Sequence, residues 1–438
     1  MNKYILTLLF AAAGIKAFSQ ADIIPAKAQD KKIAIMGAKL HIGNGQVIEN
    51  GYVMFDKGKI TGVGDATVAK FDLTGVTVIT ANGKHVYPGF IAPITNLGLT
   101  EFESVKATLD FEEIGNINPH IRALVAYNTD SKVPATLRSN GILMAQVTPQ
   151  GGTISGSSSV MQLDAWNWED AAVRKDDAQH MTWPVTPRFK GGFGAGRPGA
   201  LTPDALQERT QALVNELDGL FAEAKAYADT EKPAVINARL AAMKHLFDGK
   251  QKLFITANAQ KDIMAAVKFA KKYGITPVIV GGDEAYLIIP FLKENGIAVV
   301  VKQPHALPNN NDDDVNMPYK NAGILANAGI DVVVSIDGYW QQRNLPFMAG
   351  TVAAWGLDKE KALSTITLNT AKVLGLDKST GSLEMGKDAT LFISAGDALD
   401  MKTNNVEKAF IQGRDINLDN LHKQLDRKFS GKYAAEKK

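Results

Sequence analysis

Two hydrophobic grammars run along this chain, and one gives way to the other at Pro88. From Ile33 to Tyr87 the apolar positions fall in short runs separated by turn residues, at 33–36, 38–42, 51–55, 60–63, 76–80 and 84–87. Their β-branched or alternating character predicts strands. Asp56-Lys57-Gly58-Lys59 reads as a hairpin turn, with Gly58 free to take positive φ. After Pro88, strand-like runs at 142–148, 160–163, 253–257, 277–280, 297–301 and 332–336 alternate with helical stretches at 203–230, 234–248, 262–273, 283–294, 322–328, 344–355 and 359–374. That alternation predicts a parallel sheet covered by helices. Within 262–273, Ile263, Val267 and Ala270 share one face and Gly274 ends the helix. Thr202 before Pro203, and Asp358 before Lys359, stand where N-caps belong. The run 332–336 is apolar on both faces, as suits a strand buried on both sides.

Composition narrows the class. The 438 residues are 45% hydrophobic, enough for one large domain and a smaller one. A formal net charge of +2 argues against nucleic acid as a partner. Residues 1–19 read as a secretory signal: Lys3, an apolar run at 5–13 too short to span a bilayer, and Ala17-Phe18-Ser19 before Gln20. The expected product is periplasmic or secreted, with no transmembrane segment left after cleavage. The chain has no cysteine, which removes disulfides, thiolate ligands and a lipidated cysteine.

The entry into the second grammar, Val-Tyr-Pro-Gly-Phe-Ile-Ala-Pro-Ile-Thr-Asn at 86–96, resembles the start of the catalytic barrel in the amidohydrolase superfamily, near its imidazolonepropionase-like branch. A return motif near the other end, Gly381-Ser-Leu-Glu-Met-Gly386-Lys387-Asp-Ala389-Thr390-Leu391, is similar to that family's strand back into a β-sandwich. The resemblance implies an α/β fold. A (β/α)8 TIM-like barrel at 88–380 would carry a small composite β-sandwich formed by 33–87 plus 381–414. Beyond the resemblance, the polar C-terminal tail at 415–438 is basic and reads as a short helix or a tail. The resemblance also implies hydrolysis of C–N bonds other than peptide bonds, with zinc at the strand ends as the family expectation. Its first ligand pair, His-x-His, falls on Ile94 and Asn96. Two later histidine positions fall on Thr256 and Gly281, and the last-strand acid is Asp337. Isoleucine and glycine side chains offer zinc no lone pair. No metal ligand set and no cofactor is therefore expected, and two readings stand: a weakly active or non-catalytic member, or a ligand-binding protein or partner subunit of an active relative.

The remaining candidates carry two readings each. Asp337, before Gly338, is either the catalytic acid or part of a plain turn. Asn96, Thr256 and Asn258 at strand ends are candidate contacts for a small-molecule ligand. His305 follows a strand and is either a pocket residue or a loop histidine. His120 and His180 are weaker candidates, while His41 and His85 fall on the sandwich and read as structural. The Asn/Asp run at 309–314 lacks EF-hand spacing and reads as a solvated loop. Gly151–Ser159 lacks the lysine of a phosphate loop and reads as a loop at the barrel mouth. Residues 165–200, rich in Trp, Gly and Pro, read as an insertion over the barrel, in which 188–198 is either a basic, Gly-hinged lid or a linker. A homo-oligomer, or a hetero-oligomer with a related amidohydrolase, is the remaining partner expectation.

Overall fold

The computed structural model describes residues 24–185, 202–308 and 313–436. The leader, the 188–198 segment and most of the 309–314 run lie outside the described residues. Two sheets organise the rest. The first is drawn from both ends of the chain: β1 (Ile33–His41), β2 (Val47–Asp56), β3 (Lys59–Asp65), β4 (Thr77–Thr80) and β5 (His85–Pro88), joined by the late strands β14 (Leu391–Ser394), β15 (Val406–Ile411) and β16 (Arg414–Asp415). Its order is β16-β15-β14-β5-β1-β2-β3, with β4 parallel to β1. The union is made where β5 meets β14 antiparallel, His85 opposite Ser394 and Pro88 opposite Leu391. Phe55, Ile60, Leu40, Val86, Leu391 and Phe410 close one core across that seam. The turn between β2 and β3 puts Lys57 at φ 48° and Gly58 at φ 78°, both left-handed, the type I′ geometry that matches strand twist.

The second sheet has eight strands. They are β6 (Phe90–Thr95), β7 (Ile142–Val147), β8 (Ile154–Gln162), β9 (Ala172–Thr182), β10 (Lys252–Ala257), β11 (Val278–Gly281), β12 (Ala298–Val301) and β13 (Val332–Val334), neighbours in chain order. Between β13 and β6 the gap is bridged by the 365–366 backbone: Val334 N donates to Thr365 O and Ile91 N to Ile366 O, at 3.3 and 3.0 Å. The barrel differs from an all-parallel one. Strand β8 runs antiparallel to both β7 and β9, so seven strands are parallel and one returns between them as a hairpin.

Around the strands lie α1 (Ala123–Ala126), α2 (Lys132–Arg138), α3 (Trp168–Ala171), α4 (Pro203–Asp229), α5 (Ala238–Phe247), α6 (Gln260–Lys272), α7 (Ile289–Asn295), α8 (Met317–Asn327), α9 (Leu345–Ala354), α10 (Lys359–Ser364), α11 (Leu368–Val373) and α12 (Leu421–Glu436). The expected caps are present: Thr202 Oγ1 accepts from Ala205 N, and Asp358 accepts from Glu360 N and Lys361 N. Three expectations are corrected here. The insertion at 165–200 is not a loop as far as it is described, because its residues 172–182 form the fourth barrel strand. Its polar, charged sequence hid it, since the period-two signal is broken by a bulge at Asp176, φ 49°. The loop at 151–159 mostly belongs to β8, whose residues are all buried. The single helix at 359–374 is two, broken at 365–367.

Candidate functional site

Strand alternation divides the barrel residues into two sets. Ile91, Met144, Val160, Ala178, Phe254, Val278, Val300 and Val333, one from each strand, pack together in a cluster separate from the larger core under the helices. They form an apolar plug inside the barrel. On the same strand faces, one step towards the C-terminal ends of the parallel strands, come Gln146, His180, Thr256, Val280 and Ser335, with Ser158 contributed by the antiparallel β8. A layer of mostly polar side chains thus sits on the apolar plug, on the side where barrel active sites lie.

Three of these side chains, Gln146, Ser158 and His180, form one buried network with Asp177. Ser158 Oγ donates to Asp177 Oδ1 at 2.8 Å, and Gln146 Nε2 donates to Asp177 Oδ2 at 2.8 Å. His180 Nε2 lies 2.8 Å from Ser158 Oγ. Gln146 Oε1 accepts from Ile94 N at 3.3 Å, which ties the network to the end of β6. The β9 bulge turns Asp177 to meet these partners. All four are at least 90% buried. Burial pushes the Asp177 carboxyl up to about 6, against the pull of its Ser158 and Gln146 hydrogen bonds. Burial alone pushes the His180 imidazole down to about 3.

The order of the bonds decides what this cluster can do. A hydroxyl has one proton, and the carboxylate is the better acceptor, so Ser158 gives its proton to Asp177 and accepts from His180 Nε2–H. A serine activated as a nucleophile needs the imidazole as acceptor and the carboxylate behind the imidazole. Here the serine is in the middle. The arrangement fixes an uncharged imidazole and a buried carboxylate in place; it does not prepare a nucleophile.

The positions suggested by resemblance all fall at C-terminal strand ends. Ile94 is next to last in β6, at φ 46°, a strained setting for a β-branched residue. Asn96 is buried; its Nδ2 donates to Thr100 Oγ1 at 2.9 Å and its Oδ1 has no partner among the described residues. Thr256 is half-buried in the polar layer, with Thr182 opposite it on β9 and Val280 on β11. Gly281 ends β11 at φ 94°; a Cβ there would lie 2.1 Å from Asn258 Oδ1, itself unpaired among the described residues. Asp337 is exposed on a turn whose next carbonyl, Gly338 O, accepts from Thr95 Oγ1 at 3.1 Å and Gln342 Nε2 at 2.8 Å. His305 is not brought to this layer. It is exposed, 2.8 Å from Thr351 Oγ1 of α9 and beside the Tyr319 ring of α8. Sequence reasoning missed Gln146, Ser158 and Asp177, because neutral polar residues and an acid within a bulged strand carry no spacing signal.

Zinc does not fit this donor set. It needs three protein ligands, and among the described residues no three His, Asp or Glu side chains group together to hold a metal ion. His180, inside the barrel, has its Nε2 engaged by Ser158.

A second histidine cluster lies near the start of β6, between the sandwich and α10. His41 Nδ1 meets Glu360 Oε1 at 2.8 Å and His41 Nε2 meets His85 Nδ1 at 2.9 Å. The two imidazole centroids are 5.2 Å apart with planes 11° apart, the spacing of near-coplanar rings joined edge to edge by that hydrogen bond. Tyr87 lies face-on to His41, 4.2 Å between centroids, and its hydroxyl reaches Asp397 Oδ1 at 3.3 Å. Lys359 pairs with the same carboxylate. Burial, and then the charge of His41, push the His85 imidazole down, and burial pushes the Tyr87 phenol up.

The profile of the Amidohydrolase family matches residues 189–416, over half of the chain. The chain is 22% identical to the imidazolonepropionase of Rhizobium rhizogenes over 383 residues, covering 80% of this chain and 88% of that protein. It is 27% identical to the imidazolonepropionase of Symbiobacterium thermophilum over 379 residues, 79% of this chain and 84% of that protein. The crystal structure of an amidohydrolase from Thermotoga maritima MSB8 superposes with a TM-score of 0.73 at 22% identity, covering 88% of this chain and 99% of that one. At that identity the superposition speaks for the fold.

Proposed function

The chain belongs to the amidohydrolase family and is imidazolonepropionase-like, and from that premise we propose that it uses the barrel mouth to bind a small molecule and has lost the metal-dependent hydrolytic step. The observation that carries this reading is the identity of the strand-end side chains. Ile94 and Gly281 supply no donor, Asn96 and Thr256 supply neutral oxygens, and Asp337 faces water. A single carboxylate cannot hold zinc or lower the pKa of a bound water towards ~7.

In this reading the chain's own groups bind and orient. The apolar plug closes the floor. Above it Thr256 offers a hydroxyl, Asn96 and Asn258 offer amide oxygens without partners among the described residues, and His180 is a neutral ring wall beside Phe254, 5.1 Å between centroids. Asp177 keeps Ser158 and Gln146 fixed, so the layer is preorganised for a ligand that brings hydrogen-bond donors. Asp337 at the rim favours a cationic or N–H-rich group. Export belongs to the same proposal, and the N-terminus of protein recovered from its host should lie at or near Gln20.

The test is an assay of imidazolonepropionate and other cyclic amides, with and without added zinc and chelator, beside calorimetric titration of the same compounds. Binding without turnover is expected. Turnover that a chelator abolishes and zinc restores would overturn the reading.

A further inference from the structure

Helix α12 ends the chain with an apolar ridge left uncovered by the described residues. Leu421, Leu425, Phe429 and Tyr433 are spaced four apart and so lie along one slanting face. Each is more than a third exposed, from 39% at Leu425 to 56% at Tyr433. The first turns are tied to the body. Asn420 Nδ2 donates to Ser139 Oγ at 2.7 Å and the His422 ring stacks on Trp340 at 5.4 Å, while the helix start is closed locally by Asn420 Oδ1 accepting from Lys423 N at 3.0 Å and Arg427 gripping Asp419 at 2.9 and 2.8 Å. Beyond them every residue from Leu425 to Ala434 is exposed. A helix of 16 residues with Gly431 inside it is marginal in water without a surface to lie on.

The charge says which surface. Residues 421–438 carry six lysines and arginines against Asp426 and Glu436, a net +4, whereas the whole chain carries +2. The segment is thus the basic pole of a molecule whose remainder is slightly acidic. The cations flank the ridge: Lys428 Nζ lies 5.6 Å from the Phe429 ring centre and Lys432 Nζ 5.4 Å from that of Tyr433. Long basic stems beside exposed aromatic rings suit a boundary that is apolar below and anionic above. A second copy of the helix would bring like charges together, which low ionic strength penalises most. Nucleic acid would satisfy the charges and leave the ridge in water.

We propose that α12 is an interfacial helix that docks this protein on an anionic lipid surface. The ridge enters the headgroup–acyl boundary while Lys428 and Lys432, beside its rings, face the phosphates. No helix among the described residues is long and apolar enough to cross a membrane, so α12 would lie on the surface rather than span it.

The test is co-sedimentation of the full chain with vesicles of phosphatidylcholine alone and of phosphatidylcholine mixed with phosphatidylglycerol, at low and high salt. Binding only to the mixed vesicles, weakened by salt, is expected. A Lys428→Ala/Lys432→Ala variant should bind about 30-fold more weakly, since each basic charge near an anionic surface contributes about fivefold. Phe429→Ser/Tyr433→Ser should abolish binding, while its far-UV circular dichroism and melting curve show the body still folded. Equal binding of that variant would overturn the proposal, because the leader or another surface would then be responsible. Binding to neutral vesicles alone, dimerisation through α12 seen by analytical ultracentrifugation, or capture of DNA in place of lipid would each overturn it as well.

Discussion

The polar layer in the barrel mouth and the histidine seam at the barrel's base bury the same kinds of side chain in opposite electrical settings. At the seam, ionisable side chains pair with one another: His41 with Glu360, Lys359 with Asp397. In the mouth, Asp177 is met by a hydroxyl and an amide, and His180 by a hydroxyl, with no cation bonded to either. The seam joins two layers that are distant in sequence, and its bonds cross from residue 41 to residue 360. That is the arrangement of a stability element at the end of a barrel where chemistry does not occur. The layer keeps Asp177 and His180 desolvated and neutral-partnered, which suits holding a shape more than moving protons.

If that contrast is right, breaking the seam should cost the most. His41→Ala strands Glu360, whose Oε2 is already without a partner among the described residues, and leaves His85 with one fewer bond. A loss of about 3 kcal/mol is expected from urea unfolding, as for removing one member of a buried pair. A loss well below 1 kcal/mol would mean the seam is not a stability element.

The mouth should instead reveal itself through pH. Asp177 has its folded pKa raised to about 6, so between the unfolded carboxyl value and 6 the native state holds the extra proton. Its stabilising contribution is present at low pH and is lost as pH rises through 6, a swing of about 3 kcal/mol. His180 acts the other way. Its folded pKa is lowered to about 3, so its contribution is present above 6.5 and is lost as pH falls towards 3. The two partly cancel. Asp177→Asn should remove one and leave the other, giving a steeper loss of stability between pH 6 and 4 than the parent shows. Parallel profiles would contradict the burial assigned to Asp177.

Smaller effects sharpen the picture of the strand ends. Gly281→Ala must carry a Cβ at φ 94° and displace Asn258, for about 2 kcal/mol of stability and a weakened ligand site. Calorimetry on a bound ligand would register both. Asp337→Ala, at an exposed turn, should change stability by less than about 0.5 kcal/mol and alter ligand binding only. A larger loss of stability would mean Asp337 has structural partners.

Much of the fold was legible because it rests on periodicity and on two motifs. The strands at 252–257 and 332–334 fall within a residue or two of their apolar runs, and the Gly381–Leu391 motif leads into β14. Only the end of β8, at 160–162, was legible as a strand; its start and the charged β9 were not. Gly151–Ser159 looks like a loop because a strand buried in a barrel can be made of Gly and Ser when Gln, Asp and His fill the volume beside it. The β9 bulge at Asp176 breaks the alternation that would have marked 172–182. For the site, the departures at Ile94 and Gly281 could be read residue by residue. The network that occupies the layer instead is built from contacts 12 to 31 residues apart, which no local pattern reports. His305 looked plausible because it follows β12, but its loop turns outward to α8 and α9.

The central claim is that the strand ends no longer form a metal centre, and equilibrium dialysis against zinc followed by elemental analysis tests it most directly. Purified protein, stripped and then dialysed against micromolar zinc, is predicted to retain far less than one equivalent, with the same trace in Asp337→Ala. One tightly held equivalent in the parent that disappears in Asp337→Ala would contradict the account.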